Sequence, residues 1–429
     1  MTKQRPGLKA IRKATEKENG FRYLVQKVKK YVELPYEMEM PYRLTEEECE
    51  EILAFKRDLH MYAELSGEEF ESTGKLRAFF EGRPDYEILP LPVETGLVVR
   101  IRGGQEGPEI MLRADIDALP QEEDYESEWK SRVPGVMHAC GHDFHTASLL
   151  GAAMLLSRAK AQGRLRGCVD LVFQPAEEGT LGARKLIGAG LFDMIHPRAV
   201  FGMHNWPSVE TGKAVCHQGP LMSAKCNFEI VIHGAGGHGS MPHLNIDPIV
   251  CSAALIQSLQ TVISRNTNPL DSAILSINMI QGGSPVNLVV ERVMMRGTVR
   301  SLSEKALDRA IERIKTIVEK TAEAYECRQE IIWNKRIPMV FNTPEMTVFA
   351  RKAACAAGCT VTDVPPSLAS EDFALYRQYA PSFFYWVGSR APGDAVEELH
   401  RPRFHTDDPA LYHSSALYAA SVLEFEEKP

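Results

Sequence analysis

The spacing of apolar residues divides the chain into helical and strand-like stretches. Thr45 stands before Glu46-Glu47-Glu48 and a run in which Ile52, Leu53 and Leu59 recur at helical spacing, which predicts a helix capped by Thr45. A second helix is predicted over 69–81, stopped by Gly82 and Pro84. Residues 96–102 alternate as a strand does, and 109–120 read as a strand running into a loop with Asp115 and Asp117 at its end. The Ala- and Leu-rich stretch 146–161 predicts a buried helix. A short apolar strand over 168–173 runs straight into Gln174-Pro175-Ala176-Glu177-Glu178-Gly179. A helix over about 181–189 precedes a third strand, 199–207, with His204 in its polar tip. Three strands separated by helical segments therefore each end in polar residues, the order of a largely parallel α/β sheet. Sites in such sheets form beyond the carboxyl ends of the strands, which singles out Asp117, Glu177, Glu178 and His204.

Beyond residue 215 the pattern changes. Residues 227–233 alternate, 247–265 form an amphipathic helix with Pro248 in its first turn, and 273–280 and 292–302 are strands joined through Gly282-Gly283-Ser284-Pro285-Val286-Asn287. Ser301 or Ser303 caps a long helix reaching about Tyr325, and Ser301-Leu302-Ser303-Glu304 has capping-box spacing. A last strand covers 328–335. The order β-α-β-β-α-β is that of the ferredoxin-like split unit, so 216–335 is read as an inserted domain. It interrupts a first domain made of 46–215 and 336–429, and 1–45 is an N-terminal extension. The second part of that domain holds a helix over 344–357 and another opened by Ser370-Glu371-Asp372-Phe373. An aromatic strand over 383–387, a loop over 399–405 and a closing helix over 409–426 complete it.

A length of 429 residues accommodates two or three domains. With 44% hydrophobic and 25% charged residues the chain can bury a large core and stay soluble. A net charge of −8 argues against nucleic acid as the main partner. No apolar run approaches the ~20 residues that span a bilayer. The basic stretch 1–30 has no apolar core and is not a secretory signal, and Glu16, Glu18 and little Ser argue against a transit peptide. Nine cysteines without framework spacing point to a reducing compartment, most simply the cytoplasm.

The densest chemistry lies in Met137-His138-Ala139-Cys140-Gly141-His142-Asp143-Phe144-His145, with three histidines, a cysteine and an aspartate. In an extended segment Cys140 and His142, two apart, point the same way. A thiolate and an imidazole converging make a borderline-soft metal site. His138 and His145 are assigned to loop packing and helix-start capping. Hydrolysis at a metal needs ligands and a separate general base, and adjacent Glu177 and Glu178 can divide those tasks.

Taken with Leu112-Arg113-Ala114-Asp115-Ile116-Asp117-Ala118-Leu119-Pro120 and Gly202-Met203-His204-Asn205, these blocks resemble the amidohydrolase branch of the aminoacylase/carboxypeptidase G superfamily. That branch includes hippurate hydrolases, N-acetyl-amino-acid deacetylases and auxin-conjugate hydrolases. Gly236-Gly237-His238-Gly239-Ser240-Met241-Pro242-His243 and Ser370-Glu371-Asp372-Phe373 match later blocks, so the resemblance covers roughly 48–425. It implies a metallopeptidase-like catalytic domain, an inserted lid that also dimerises, and two divalent metal ions per subunit. Zn, Mn, Co and Ni all suit the donor set. The implied ligands are Cys140, as bridging thiolate, His142, Glu178, His204 and His400. His405 in Phe404-His405-Thr406-Asp407-Asp408 rivals His400 because this segment departs from the family pattern. A second departure is Met61-Tyr62-Ala63-Glu64, after His60, in place of the expected histidine-proline-glutamate.

The resemblance further implies attack of metal-bound water on an amide, removing an acetyl, benzoyl or similar group from an N-acyl amino acid. Glu177 is the implied general base, and Asp117 orients a ligating imidazole. His238, or second His243, would reach across a homodimer to the oxyanion, and Asn287 would contact the substrate carboxylate. Two alternatives stay open: a dipeptidase or carboxypeptidase with the same metals, and a catalytically silent metal-binding assembly protein.

Overall fold

Thr45 starts the first helix as its sequence predicts. Its hydroxyl accepts the Glu48 amide at 3.2 Å while the Glu48 carboxylate accepts the Thr45 amide at 2.7 Å, a closed capping box. This is a computed structural model that describes residues 42–179, 182–284 and 286–425. The expectations for 1–41, and for the end of the closing helix beyond 425, fall outside these residues, as does Pro285.

Helices α1 (Glu46–Met61) and α2 (Phe70–Phe80) precede strands β1 (Glu87–Ile88), β2 (Leu97–Arg102) and β3 (Gln105–Asp115). Then come α3 (His142–Ala161), β4 (Arg166–Gln174), α4 (Gly182–Gly188), α5 (Leu191–Met194), β5 (Ala199–Glu210), β6 (Lys213–Val215) and β7 (Gly219–Met222). The next stretch holds β8 (Ala224–His233), β9 (Gly237–His238), α6 (Pro248–Asn266), β10 (Ala273–Gln281), β11 (Leu288–Val289), β12 (Arg292–Ser301), α7 (Glu304–Ala324) and β13 (Arg328–Trp333). The chain closes with β14 (Val340–Asn342), α8 (Pro344–Ala356), β15 (Thr360–Thr362), β16 (Ser382–Arg390) and α9 (Asp408–Leu423).

The large sheet has the order β1-β2-β4-β3-β5-β16-β6-β15. Its centre, β4-β3-β5-β16, is parallel throughout, while β1, β2 and β6 join antiparallel. Strands covered on both faces read as continuous apolar runs, and β16 accordingly buries Phe383, Phe384, Tyr385 and Trp386. Helix α3 is buried along nearly its whole length and packs with Phe144, Leu149 and Leu156 against the sheet's main core. The parallel strands β3, β4 and β5 all run the same way, so Asp115, Gln174 and the polar residues beyond them gather at one edge.

The second sheet, β10-β12-β8-β13, is antiparallel throughout, with α6 and α7 buried against one face through Leu255, Leu259, Ile314 and Val318. Ser301 does not make the capping box that its spacing suggests. Ser303 caps α7, accepting from the Ala306 amide at 3.2 Å, and Ser301 Oγ accepts the Ser303 amide at 3.0 Å. The Glu304 carboxylate turns instead to Arg336 and to the Met339 amide, which leaves nothing to close a box. Residues 372–378, expected as a helix, form a 3-10 turn capped by Glu371.

Candidate metal centre

Cys140 and His142 do converge, but not as alternate residues of an extended segment. Gly141 between them takes φ +86°, and His142 is the first residue of α3. The glycine also makes room: a Cβ there would lie 2.3 Å from Asn205 Nδ2, which donates to the Cys140 carbonyl at 2.5 Å. The Cys140 sulfur stands 3.3 Å from His204 Nε2, at the end of the buried part of β5, and 3.3 Å from His400 Nε2. His400 arrives from a loop in a left-handed conformation, φ +60°, held by its amide donating to the Ala139 carbonyl at 2.8 Å. His405 lies elsewhere, stacked on Tyr125 at 4.2 Å.

Several donor sets form among the described residues, one of them joining His142 to Glu177 and Glu178, and two contain Cys140. Cys140, His142 and His204 bring one ligand atom each within 4.8 Å of one another, and so do Cys140, Glu178 and His400. The sulfur is common to both. His142 Nε2 and Glu178 Oε1 are buried with no hydrogen-bond partner among the described residues. Glu178 Oε1 lies 3.2 Å from His400 Nε2 and 3.9 Å from His142 Nε2, close enough to feel their charge but without bonding geometry. Leaving buried polar atoms bare costs free energy unless something else meets them. A thiolate, three imidazoles and a carboxylate around that space are a borderline-soft donor set that suits divalent transition metals.

Neighbouring groups fix the rings. His204 Nδ1 lies 2.6 Å from the Asn205 carbonyl and must donate there, which leaves Nε2 bare toward the sulfur. His142 Nδ1 lies 3.1 Å from Asp117 Oδ1. Asp117 Oδ2 in turn accepts from Ser66 Oγ and from the Glu178 amide, the latter at 3.0 Å. His145, three residues beyond His142 on the same helix face, lies 2.5 Å from Asp115 and accepts the Asn205 amide at 2.9 Å. Thus His145 braces β5 against α3 rather than capping the helix, and the i, i+3 spacing of two histidines was the signal for it. Ser66, Asn205 and Arg113 are supporting residues that motif reading passed over.

Glu177 faces the same space. Its Oε1 accepts the Asp372 amide at 3.4 Å. The turn before it is tight: Ala176 has φ +53° and its amide donates to Glu69 at 2.8 Å. Burial, then Glu371 and Glu178, push the Glu177 carboxyl well above its ordinary range. Burial opposes ionisation of Glu178 as well, but His400 and His142 outweigh it and hold Glu178 low. Burial and the surrounding carboxylates of Glu178, Glu177 and Asp115 push the Cys140 thiol up, so a cation is needed to favour its thiolate. Burial and His145 keep His204 neutral.

The inserted sheet carries the remaining candidates. His238 on β9 pairs with Leu288 on β11, and Asn287, φ +74°, accepts the Gly239 amide at 2.7 Å. The Ser240 amide donates to His238 Nδ1 at 3.2 Å, so the neutral ring carries its proton on Nε2. His243 is exposed in a short 3-10 turn. No hydrogen bond or ion pair among the described residues joins His238, His243 or Asn287 to the Cys140 cluster.

Comparison with known proteins places this geometry. A family model described as peptidase family M20/M25/M40 matches residues 111–424. N-acetylcysteine deacetylase of Bacillus subtilis strain 168 is 41% identical over 369 residues, covering 86% of this chain and 95% of its own. Thermostable carboxypeptidase 1 of Saccharolobus solfataricus is 36% identical, covering 88% of this chain and 96% of its own. Among solved structures, the Bacillus subtilis YXEP protein, described as a dinuclear metal binding peptidase from the M20 family, superimposes with a TM-score of 0.76 at 37% identity. That match covers 88% of this chain and 98% of that one.

Proposed function

Since the chain belongs to peptidase family M20/M25/M40, we propose that it is a metal-dependent amidohydrolase. It removes an acetyl, benzoyl or similar group from the nitrogen of an amino acid or small amino-acid conjugate. The observation that carries this reading is the Cys140 sulfur set between two imidazole nitrogens at 3.3 Å, with bare buried atoms of His142 and Glu178 beside it. Two divalent cations per subunit fit there, and Cys140, His142, Glu178, His204 and His400 would hold them. Bound, they supply Lewis acidity at the amide carbonyl and at the attacking water.

The chain's own residues then move the proton. Glu177 sits beside the cluster with a carboxyl of raised proton affinity. It accepts the proton of the attacking water and returns it to the leaving nitrogen. Asp117 keeps His142 in one tautomer and orientation. His238, with Nε2 as donor, serves the oxyanion, and Asn287 the substrate carboxylate, in the cluster of a second copy. The assembly is therefore a homodimer through the inserted domain, 216–335, and sedimentation at micromolar concentration tests it. The compartment is the cytoplasm, a reading supported by nine cysteines that are all free. No described helix is long and apolar enough to cross a membrane.

A carboxypeptidase reading has one observation in its favour, the similarity to the Saccharolobus enzyme. Metal-loaded protein offered N-acetyl and N-benzoyl amino acids alongside dipeptides separates the two. Acetate or benzoate release is expected. Release from dipeptides alone would move the assignment to peptide bonds, and no release on the whole panel would favour a silent metal-binding protein.

A further inference from the structure

Glu69 stands where helix α2 begins, and an acid in that position ordinarily accepts the helix's own first amides. Its side chain makes no such bond. Glu64 caps the helix instead, its two oxygens accepting the Glu71 amide at 2.9 Å and the Ser72 amide at 2.7 Å. Glu69 is fully buried, and its Oε2 has no hydrogen-bond partner among the described residues. Burying a carboxylate that caps nothing and leaves one oxygen bare is costly. Departures of this kind concentrate where a local geometry serves function.

What the carboxylate holds lies 107 residues away along the chain. Oε1 accepts the Gly67 amide at 2.7 Å and the Ala176 amide at 2.8 Å. Ala176 has φ +53°, a left-handed backbone that a residue with a Cβ adopts only when its surroundings impose it. Pro175 before it has no amide hydrogen to give, and the Ala176 carbonyl accepts the Gly182 amide at 3.1 Å. The other side of the turn is held separately. Ser66 Oγ accepts the Gly179 amide at 3.2 Å, and Asp117 Oδ2 accepts the Glu178 amide at 3.0 Å. The turn is therefore gripped by Glu69 just ahead of Glu177, and by Asp117 and Ser66 from Glu178 onward.

We propose that Glu69 is a positioning residue for Glu177: by holding the Ala176 amide it keeps the left-handed turn that sets the Glu177 carboxylate beside the cluster. This rests on the amidohydrolase reading, in which Glu177 carries the proton. The role requires an acceptor at Oε1, so Gln can replace Glu69 and an apolar side chain of similar length cannot. A proton carrier displaced on the order of 1 Å loses about 10²-fold in rate.

Metal-loaded wild type, Glu69→Gln and Glu69→Met are compared for turnover of an N-acetyl amino acid, for metal content and for hydrogen exchange of the Ala176 amide. Glu69→Met is expected to lose about 10- to 100-fold in kcat, with KM within about threefold and both metals retained. Its Ala176 amide should exchange at least about tenfold faster. Glu69→Gln should keep kcat within about threefold and the amide protected. Glu69→Ala replaces the Met variant if that one does not fold, with the same expectation. Equal kcat losses in the Gln and Met variants overturn the proposal, because the charge and not the acceptor would then matter. Loss of metal in step with kcat overturns it as well, and so does an unchanged kcat with the amide released. Exchange needs no substrate: an Ala176 amide that exchanges alike in wild type and Glu69→Met overturns the proposal whether or not the protein turns anything over. A wild type without turnover, whose protected amide is released by Glu69→Met, sinks the amidohydrolase reading and leaves Glu69 as the anchor of the turn.

Discussion

Asp117 Oδ1 stands 3.1 Å from His142 Nδ1, and the far nitrogen of that ring is the one left bare inside the cluster. The carboxylate itself is anchored by Ser66 and by the Glu178 amide, so one aspartate positions both an imidazole and the turn carrying the two glutamates. Removing its charge while keeping its shape, Asp117→Asn, should weaken metal affinity by about 10- to 100-fold. Metal titration against a competing chelator reads this directly. Unchanged affinity would mean the ring is held by helix packing alone.

Gly141 is the only residue type compatible with its place. It combines φ +86° with a Cβ position 2.3 Å from Asn205 Nδ2. Gly141→Ala should cost about 1–3 kcal/mol of stability and displace Cys140 from the two imidazoles. A lowered melting temperature together with reduced metal content is expected. A drop in melting temperature with full metal content would place the strain elsewhere.

Arg113 is fully buried and meets Asp115, Glu371 and Asp372 at 2.9, 2.9 and 3.0 Å. The three acids come from β3 and from the segment beside Glu177, so this guanidinium ties the sheet edge to the far end of the chain. Arg113→Met leaves three buried acids without their cation and should cost about 3–5 kcal/mol. Denaturant unfolding measures it, and a loss below 1 kcal/mol would contradict the account.

His60 lies behind the cluster, with Nδ1 2.9 Å from Asp143 and Nε2 3.3 Å from Glu123. His138 is its other titratable neighbour, and Lys56 acts on Asp143. Burial opposes the charge on His60, but Asp143 and Glu123 outweigh it and raise the ring to about 9. A raised cation contributes stability that is fully present below its unfolded value, ~6.5, and is lost as pH climbs through 9. The melting temperature should therefore fall across that window. His60→Gln should flatten the fall, removing a term on the order of 1–3 kcal/mol.

What the chain's pattern disclosed follows from physics that acts locally. Asp115, Glu177 and His204 were visible because parallel strands need continuous apolar runs, and each run breaks into polar residues near the site edge. The partner of His145 was not visible, because it is Asp115, 30 residues away on another element. The Ser301 box failed for a similar reason: Glu304 had a distant competitor in Arg336. His238, His243 and Asn287 matched their motif, yet no hydrogen bond or ion pair among the described residues joins them to the Cys140 cluster, because they sit on the separate small sheet of β9 and β11 and its turns. Which of His400 and His405 lies beside Cys140 was equally hidden, because it depends on a loop tied back to the Ala139 carbonyl that brings His400 Nε2 to 3.3 Å from the sulfur.

The most direct test changes Glu177→Gln and measures metal content and N-acetyl amino-acid turnover on the same sample. A residue that carries a proton and holds no cation should lose about 10²- to 10⁴-fold in kcat with both metals retained. Loss of a metal in that variant, or turnover near wild type, would contradict the division of labour between Glu177 and Glu178 on which the account rests.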